Sequence, residues 1–424
     1  MHLSDEDKRM LNGGFGSGSA FCMRLLSKLG EAVDAERMIP AVSSHIVSFG
    51  YQIYGFVADC CKELDSEMLE GVREFKVPST TNPKFFDLDD HKLVKRFQVT
   101  ETTIEKMRVS MTHKKFEELG AIPTYTCTPF FIHPTRMGES LAGAESVAIV
   151  MYNSIYGARL NRETTPTALA AAVTGKTPYF GMHKPENRYA QIQVDVSKEV
   201  DLVSLRTSDY SALGYYAGGI AGDRNVVFSN LPNNLKIGDL KNLLAPLGVS
   251  GAVMLAHVVG VTPEAPTLEA ALLGRKPEER IEVGKRELEG VYEALNSASE
   301  EKADMAVFGC PHAPLGEIAE IALLLRNRKV RDDAFLLIAT SKPIKVLADR
   351  MGITHEVEKS GGLIVTDMCP HIFLWKQKDP DSVADIGRNI ATVATDCTKC
   401  AHYLGAQGRE IKFGSTEECV KAVM

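Results

Sequence analysis

DMAVFG (304–309) opens the stretch of sequence that decides the fold. It is followed by HAPLGEIAEIALLLRNR (312–328), AFLLIAT (334–340), KPIKVLADRMG (342–352) and GLIVTDM (362–368). Short apolar runs rich in β-branched residues alternate here with amphipathic runs of helix length. This alternation predicts parallel βαβ units, whose ligands bind where the loops separate at the carboxyl ends of the strands. The residues at those ends are Cys310, Ser341 and Cys369.

The N-terminal half shows the same alternation in a weaker form. A helix pair is predicted for the first forty residues, with an N-cap cluster at 4–7. A strand that enters a polar loop follows. The later predictions are helices at 56–69, 99–119 and 144–156, a short strand in REFKVPSTTNP (73–83) that ends in a hydroxyl-rich turn, and a strand in GAIPTYTCTPF (120–130) that stops at Pro129.

The middle of the chain changes character. YYAGGIAGDRN (215–225) suits a hinge or a close backbone approach, and strands are predicted around it at 192–196, 225–231 and 252–261. TPEAPT (262–267) and GRKPEER (274–280) are interpreted as a polar linker. We therefore expect three regions, an N-terminal one at 1–195, a middle one at 196–300 and a C-terminal βαβ one at 301–424.

Composition and charge exclude several classes of protein. The chain has 424 residues, of which 44% are hydrophobic and 24% charged, as in ordinary globular proteins. A formal net charge of -7 argues against a general nucleic-acid surface, which needs a basic excess. The N-terminus lacks the basic and apolar stretches of a secretory signal, and no run is long enough for a membrane span. A cytoplasmic location is therefore expected.

Three of the nine cysteines share one local context. Cys127, Cys310 and Cys369 each follow an apolar run and precede Pro or Thr-Pro, in TCTP, GCPH and DMCP. Proline fixes the direction of the chain, so each thiol is expected to face a cavity. Three thiolates suit a soft metal, either mononuclear iron or zinc or an iron–sulfur cluster. One position free of protein ligands would let that metal act as a Lewis acid.

Another cysteine motif competes with this interpretation. CTKC (397–400) is a CxxC, which binds zinc or exchanges disulfides in other proteins, but a second CxxC is absent from the sequence. Two local buried thiols are the alternative, and Lys399 and His402 beside them are candidate ligand contacts. The remaining cysteines, at 22, 60, 61 and 419, are interpreted as core or surface thiols.

Polar residues that suit a small anion cluster in two stretches. Arginines next to glycines, in GARLNR and GMHKPENR, are interpreted as anion clamps, because a guanidinium group binds two oxygens at once. Histidines in SSHI and GCPH are candidate acids. The polar candidates of the two stretches are Arg136, Glu139, Glu145, Asn153, Ser154, Arg159, Asn161, Arg162, His183, Asn187 and Arg188.

The motifs together resemble the aconitase X family across nearly the whole chain. Those that carry the resemblance are SSHI (43–46), VPSTTN (77–82), YTCTPF (125–130), GES and ESVA around Glu139 and Glu145, NSIYGARLNR (153–162), GMHKPENR, TPEAPT, GCPH, TDMCP and KCAHY. The resemblance implies an α/β fold: an aconitase-like catalytic core of two to three α/β/α domains with mainly parallel sheets.

The resemblance also implies an activity and a partner. Such proteins dehydrate cis-3-hydroxy-L-proline or mevalonate 5-phosphate, and for this chain the first substrate is favoured because its composition does not look heat-adapted. The implied cofactor is an iron–sulfur cluster or mononuclear iron. The implied partner is a small swivelling-domain subunit, which carries a serine used in proton transfer. A zinc hydrolase and a non-catalytic metal-binding relative remain alternatives. Gly14 and Cys397 depart from the pattern, which usually has Glu and Ser there.

The site predicted on these grounds has three parts. The metal ligands are Cys127, Cys310 and Cys369, and the catalytic residues are His45, Glu145 and Lys399. The predicted substrate contacts are Ser44, Thr81, Asn82, Arg136, Asn153, Ser154, Arg159, Arg162, His183, Arg188, His312 and Ser341.

Overall fold

A computed structural model of the chain describes residues 1–47, 63–101, 104–105, 113–202, 204–374 and 390–424. Helices and parallel sheets alternate along these residues, as the sequence predicts for an α/β protein. The α-helices are α1 (Asp5–Leu11), α2 (Ser17–Ala32), α3 (His91–Arg96), α4 (His113–Glu118), α5 (Ser146–Ile155), α6 (Thr165–Thr174), α7 (Thr207–Ala221), α8 (Ile237–Leu244), α9 (Leu247–Ser250), α10 (Leu268–Ala271), α11 (Lys285–Leu295), α12 (Leu315–Leu325), α13 (Lys342–Arg350), α14 (Ile353–Lys359), α15 (Thr398–Ala406) and α16 (Thr416–Lys421).

The strands form four sheets within the described residues. Three of them are wholly parallel, with orders β3-β2-β4, β8-β7-β6-β9 and β12-β11-β10-β13-β14, and β1 pairs antiparallel with β5. The strands are β1 (Met38–Pro40), β2 (Ser44–Ile46), β3 (Ser79–Thr81), β4 (Ala142–Gly143), β5 (Lys176–Pro178), β6 (Ile192–Val196), β7 (Val226–Ser229), β8 (Ala256–Val258), β9 (Glu279–Val283), β10 (Met305–Phe308), β11 (Phe335–Thr340), β12 (Leu363–Thr366), β13 (Thr392–Thr395) and β14 (Glu410–Phe413).

The C-terminal βαβ prediction is confirmed. β10, β11 and β12 are neighbouring parallel strands, and α12 and α13 connect them. The sheet continues on the other side of β10 with β13 and β14, two strands that the sequence pattern does not predict. Gly309 ends β10 at a φ of 82°, and a Cβ there would overlap the carbonyl oxygen of Ala339 on β11. Glycine is therefore required immediately before Cys310.

The predicted N-terminal helix pair is present as α1 and α2. Ser4 caps α1 through a reciprocal pair of hydrogen bonds with Asp7, as the cap cluster predicts. Half of the predicted helix at 56–69, residues 56–62, and parts of the one at 99–119 lie outside the described residues. No helix of the described residues is both long and apolar enough to cross a membrane.

The predicted strand at 120–130 is wrong. Its only ladder contact is a single parallel bridge between Ile122 and Thr80, and the rest is a loop that ends in a 3-10 turn at Pro129–Phe131. Tyr125 has a φ of 40°, which a continuous strand does not allow. The loop is held by hydrogen bonds to β3, including one from the backbone N–H of Thr126 to the carbonyl of Thr81 at 3.0 Å. Cys127 is therefore fixed by a loop.

The predicted glycine-rich hinge lies mostly inside α7. A Cβ on Gly214 would overlap the carbonyl oxygen of Leu243, and one on Gly218 would lie 2.9 Å from the Cα of Leu247. The glycines therefore permit the close approach of α7 to α8 and α9, which was the other reading of the same pattern.

The predicted linker at 262–280 is also partly wrong. Residues 279–283 form β9, which pairs with β6 in register over five residues, and Ala265 is fully buried. β9 lies at the edge of its sheet, and its polar residues Glu279, Arg280 and Glu282 are exposed.

One large hydrophobic core joins the three parts of the chain. Its buried members include Val147 on α5, Val194 on β6 and Val307 on β10. The inner parallel strands β6, β7 and β10 are buried along their whole length, as expected for strands covered by helices on both faces. Packing across this core brings distant loops into contact.

Candidate functional site

Cys127, Cys310 and Cys369 line one cavity of about 240 Å³. Cys127 comes from the loop that follows α4 and is bonded to β3, and the other two follow β10 and β12 at the carboxyl edge of the C-terminal sheet. The sequence-based expectation that the three thiols face a common space therefore agrees with the geometry, although positions 127 and 310 are far apart in the chain.

His371 lies between two of the sulfurs. Its Nδ1 is 3.4 Å from the Sγ of Cys310 and 3.4 Å from the Sγ of Cys369, so these sulfurs lie no farther apart than twice that distance. The ring of His371 stacks on Tyr403, with centroids 5.1 Å apart. Among the described residues, no three His, Cys, Asp or Glu side chains are grouped closely enough to hold one metal ion.

The donor set nevertheless fits a cluster. Thiolates are soft ligands that bind iron–sulfur clusters, and a cluster spans more space than one ion. Burial raises the pKa of the Cys127 thiol to about 11 and that of Cys369 to about 12. These thiols are therefore protonated near neutral pH, and a bound metal would have to displace their protons.

A buried ion pair forms another wall of the cavity. The Nζ of Lys399, on α15, lies 2.9 Å from the Oε1 of Glu145, the N-cap residue of α5. Burial alone would raise the pKa of Glu145, but the charge and hydrogen bond of Lys399 hold it at about 2. Burial would lower the pKa of Lys399, yet Glu145 raises it well above its ordinary value. Both groups are thus charged, and Lys399 presents a cation to the cavity.

A chain of hydrogen bonds runs from Glu145 to His45. Asn82 donates from Nδ2 to Glu145 at 3.3 Å, and its Oδ1 lies 3.2 Å from the Nε2 of His45. Since an amide oxygen only accepts, Nε2 carries the proton, and Nδ1 accepts from the hydroxyl of Thr80 at 2.8 Å. Burial lowers the pKa of His45 to about 4, so the ring is neutral. The predicted catalytic acid lies behind Asn82, which itself lines the cavity.

Arg162 is the second cation that lines the cavity, and its exposed side chain bonds the carbonyl of Gly248 at 3.3 Å. Ser146, His371 and Tyr403 also line the cavity but were not predicted. Ser146 directly follows Glu145, and Tyr403 stands one turn beyond Lys399 on α15, so helical spacing from the predicted residues could have found both.

Several predicted substrate contacts belong to a buried network instead. Arg188 is 3% exposed, forms an ion pair with Glu264 and donates at 3.0 Å to the Oδ1 of Asn153. Asn153 also donates to the carbonyls of Leu160 and Met254, and Ser154 accepts from a backbone N–H of β8. These bonds leave little capacity for a ligand, and none of the predicted contacts Asn153, Ser154 and Arg188 lines the cavity.

The other predicted contacts are also placed elsewhere in the described chain. Ser44 donates to the carbonyl of Ala168, and Thr81 donates to that of Ile122. Ser341 is buried at the N-cap of α13, and exposed Arg136 bonds Glu139 through its backbone. The guanidinium group of Arg159 donates to the backbone carbonyl of His183 at 3.5 Å. None of Ser44, Thr81, Arg136, Arg159, His183 and Ser341 lines the cavity.

His312 is fully buried against the cysteine loops. Its Nε2 donates to the carbonyl of Met368 at 2.9 Å, and its Nδ1 lies 2.9 Å from the hydroxyl of Thr126. Both ring nitrogens are therefore occupied by the protein, and the predicted substrate contact is absent from the cavity lining.

The CxxC motif starts α15. Cys397 is its N-cap residue, and its thiol donates to the backbone carbonyl of Cys310, while Cys400 is fully buried in the helix. Cys22 and Cys419 are buried core thiols, as predicted, and Cys60 and Cys61 lie outside the described residues.

A larger cavity, of about 820 Å³, lies between α7, α11 and β14. Arg206 in its wall pairs with Asp209 at 3.0 Å, and the described residues that line it include no cysteine. It therefore shows less convergent chemistry than the cysteine cavity, which remains the candidate site.

Comparison with protein families gives three matches in chain order. The description "Aconitase X first domain" matches residues 1–186, the second domain matches 190–293 and the third domain 303–424. Among solved structures, the chain is similar to Thermococcus kodakaraensis aconitase X in its holo-form, with a TM-score of 0.86, 32% identity and coverage of 100% of both chains.

Curated relatives carry two names. The phosphomevalonate dehydratase large subunit of Methanocaldococcus jannaschii is 35% identical over 99% of this chain and 100% of its own length. The protein of the same name from Thermococcus kodakarensis is 33% identical over 99% of both chains. Cis-3-hydroxy-L-proline dehydratase of Pseudomonas aeruginosa is 29% identical over 99% of this chain and 69% of its own length.

Proposed function

Because the chain belongs to the aconitase X family, we propose that it is the large subunit of a dehydratase acting on mevalonate 5-phosphate. The reaction removes a proton from the carbon beside the carboxylate and the hydroxyl group from the next carbon, and the two leave as water. One observation carries the proposal: the three thiols, Lys399 and Glu145 line the same cavity.

The choice of substrate follows the relatives. Four phosphomevalonate dehydratase large subunits are 35%, 33%, 32% and 36% identical to this chain, and a fifth is 27% identical, whereas two cis-3-hydroxy-L-proline dehydratases are each 29% identical. This reverses the order that composition alone favoured. Cis-3-hydroxy-L-proline remains the second candidate, because two of the relatives carry that name and the cavity cations suit any small carboxylate.

We propose that Cys127, Cys310 and Cys369 hold an iron–sulfur cluster or iron. Such a group supplies a Lewis acid that assists departure of a hydroxyl group when one coordination position is left to the substrate. The exclusively sulfur donor set favours iron in thiolate coordination over hard cations such as magnesium.

The residues of the chain supply positive charge and orientation. Lys399 and Arg162 attract the anionic substrate, and Glu145 keeps Lys399 protonated at a fixed place in the wall. Glu145 is a poor proton acceptor, because Lys399 holds its pKa at about 2. We therefore assign the proton acceptor to a small partner subunit. The name "large subunit" of the relatives supports the existence of such a partner.

The metal part of the proposal is tested on anaerobically reconstituted protein. Cys127→Ala, Cys310→Ala and Cys369→Ala are each expected to lose bound iron and visible absorption while staying folded. Cys419→Ala, which removes a fully buried thiol from α16, is the matched control and should keep its iron. A cysteine whose loss leaves the iron content unchanged is not a ligand, and zinc in place of iron contradicts the proposed cofactor.

The catalytic part is tested with the small subunit added. Dehydration of mevalonate 5-phosphate, followed by mass spectrometry of the product, is expected, and cis-3-hydroxy-L-proline should be turned over far more slowly. Turnover of the proline alone would replace the proposed substrate by the second candidate. A complex that holds iron and dehydrates neither compound would contradict the dehydratase proposal.

A further inference from the structure

The three cysteine-bearing loops come from separate parts of the fold. Cys127 belongs to a loop attached to β3, whereas Cys310 and Cys369 follow two strands of another sheet. The spacing of the three sulfurs therefore depends on contacts that cross between these loops. Such contacts orient metal ligands and affect metal affinity in proteins generally.

His312 makes a contact to every one of these loops. It belongs to the Cys310 loop itself, two residues after the cysteine. Its backbone N–H donates to the Sγ of Cys127 at 3.3 Å, and its ring contacts the hydroxyl of Thr126, the residue before Cys127. On the opposite side, its Nε2 lies 2.9 Å from the carbonyl of Met368, the residue before Cys369.

The hydrogen-bond partners define the state of the ring. A carbonyl oxygen can only accept, so Nε2 carries the proton that bonds Met368. Nδ1 is then an acceptor and receives the hydroxyl proton of Thr126, whose oxygen accepts the backbone N–H of Thr128 at 3.1 Å. A neutral ring with one fixed tautomer therefore bridges the two other cysteine loops. Its residue is 1% exposed, so water does not compete for these bonds.

The loop of His312 is also fixed from behind. Lys241 on α8 is 1% exposed and donates from Nζ to the carbonyl of Pro311 at 3.2 Å and to Glu317 at 2.7 Å. The backbone on which His312 sits is thus anchored to the middle part of the chain, so the ring can hold the loops of Cys127 and Cys369 against a fixed reference.

We propose that His312 is a positioning residue that sets the spacing of Cys127, Cys310 and Cys369 and donates a backbone hydrogen bond to the sulfur of Cys127. The identity of the group that the thiols hold rests on the proposed function. The spacing itself is a property of the chain, and it is tested with a soft ion that must draw the thiolates together, because no three described donors are grouped closely enough beforehand to hold one ion.

Cadmium ion alone is the probe for the metal-free chain, because it is soft and its binding to thiolates is visible in the ultraviolet. His312→Leu removes both ring bonds at similar volume and is expected to weaken cadmium binding by about 10- to 100-fold. His312→Gln retains an amide N–H that can reach Met368 and should fall between the wild type and the leucine variant.

His257 provides the matched control. It is 2% exposed, and its Nε2 bonds the carbonyl of Arg188 at 2.8 Å, away from the cysteine loops. His257→Leu should lower the melting temperature without changing the affinity for cadmium. A purely structural role of His312 would give the same pattern, with a lower melting temperature and unchanged affinity in both His312 variants, and would overturn the inference.

Iron content separates this inference from the proposed cofactor. If the wild-type chain binds cadmium but no iron, the proposed cofactor is wrong, and the cadmium affinities of the variants still decide the role of His312. If the wild-type chain captures neither ion, no assembled thiol site exists and the inference is overturned. Should the leucine variant fail to fold, the glutamine variant decides: wild-type affinity in that variant also overturns the inference.

Discussion

Replacing Lys399 by methionine is expected to destabilise the protein most at high pH. The change keeps the length of the side chain but leaves the carboxylate of Glu145 without its partner at 2.9 Å. Glu145 is 8% exposed and then keeps only neutral donors, from Asn82, the hydroxyl of Ser146 and the backbone N–H of Val147. Removing one member of a buried pair typically costs about 3–5 kcal/mol.

The structure also gives the direction of the pH dependence. In the wild type the pKa of Glu145 is lowered from 4.5 to about 2, so its contribution is present above pH 4.5 and is lost as the pH falls towards 2. This shift corresponds to about 3 kcal/mol. Without Lys399, burial raises the pKa of Glu145 above 4.5, and the variant loses stability as the pH rises through that value. The difference between wild type and variant therefore grows with pH.

Urea unfolding at pH 5 and pH 8 measures this difference. The double variant Lys399→Met with Glu145→Gln removes the charge and should recover much of the loss at pH 8. Lys241→Met breaks another buried pair, with Glu317 at 2.7 Å, and serves as a stability control outside the cavity lining. A Lys399→Met variant whose loss is equal at both pH values, or is not recovered by the double change, would refute the reasoning.

Three further predictions concern other parts of the chain. Burial raises the pKa of Glu163 from 4.5 to about 7, so the free energy of unfolding of the wild type should fall by about 3 kcal/mol relative to that of Glu163→Gln between pH 5 and 8. An equal pH dependence of unfolding in the two proteins would contradict this. Gly309→Ala forces a Cβ against a carbonyl of β11 at positive φ, so it should lower the free energy of unfolding by at least ~2 kcal/mol and reduce bound iron. Gly316→Ala, with open space around the added Cβ, should change neither the unfolding curve nor the metal content. Arg188→Met breaks the ion pair with Glu264 and should lower the free energy of unfolding by about 3–5 kcal/mol. The kcat/KM of the folded enzyme should stay within about threefold of the wild type, and a large rise in KM would support Arg188 as a substrate contact.

Local patterns predicted the C-terminal half of the site well. In parallel βαβ units the chemistry lies at the strand ends, and this rule alone places Cys310 and Cys369 at one edge of the sheet. Cys127 was found by its proline context, although the strand predicted before it is a loop. The thiol still faces the cavity, because the loop is tied to β3 by side-chain and backbone bonds that no periodicity reveals.

Residue type alone does not decide the role of the polar residues. Arg188 and Asn153 suit anion binding as well as they suit a buried network, and only the partner decides which occurs. That partner, Glu264, lies in TPEAPT. The prolines and the acidic residue of this motif led to its interpretation as a polar linker. Pairings at this sequence separation depend on how the sheets pack, so the sequence could not distinguish an anion clamp from an internal anchor.

The middle part of the chain explains why so many polar motifs lie outside the cavity. All of the described residues that line the cavity lie before position 163 or after position 309. The middle part instead forms hydrogen bonds to both stretches that line the cavity. The carbonyl of Met254 accepts from Asn153 in the N-terminal stretch, and Lys241 donates to the carbonyl of Pro311 in the C-terminal stretch. A cavity built between two distant stretches keeps its dimensions only if a third body fixes them both. The buried ions and amides at positions 153, 188, 241 and 264 serve that purpose, because hydrogen bonds set direction and distance where apolar packing alone tolerates sliding.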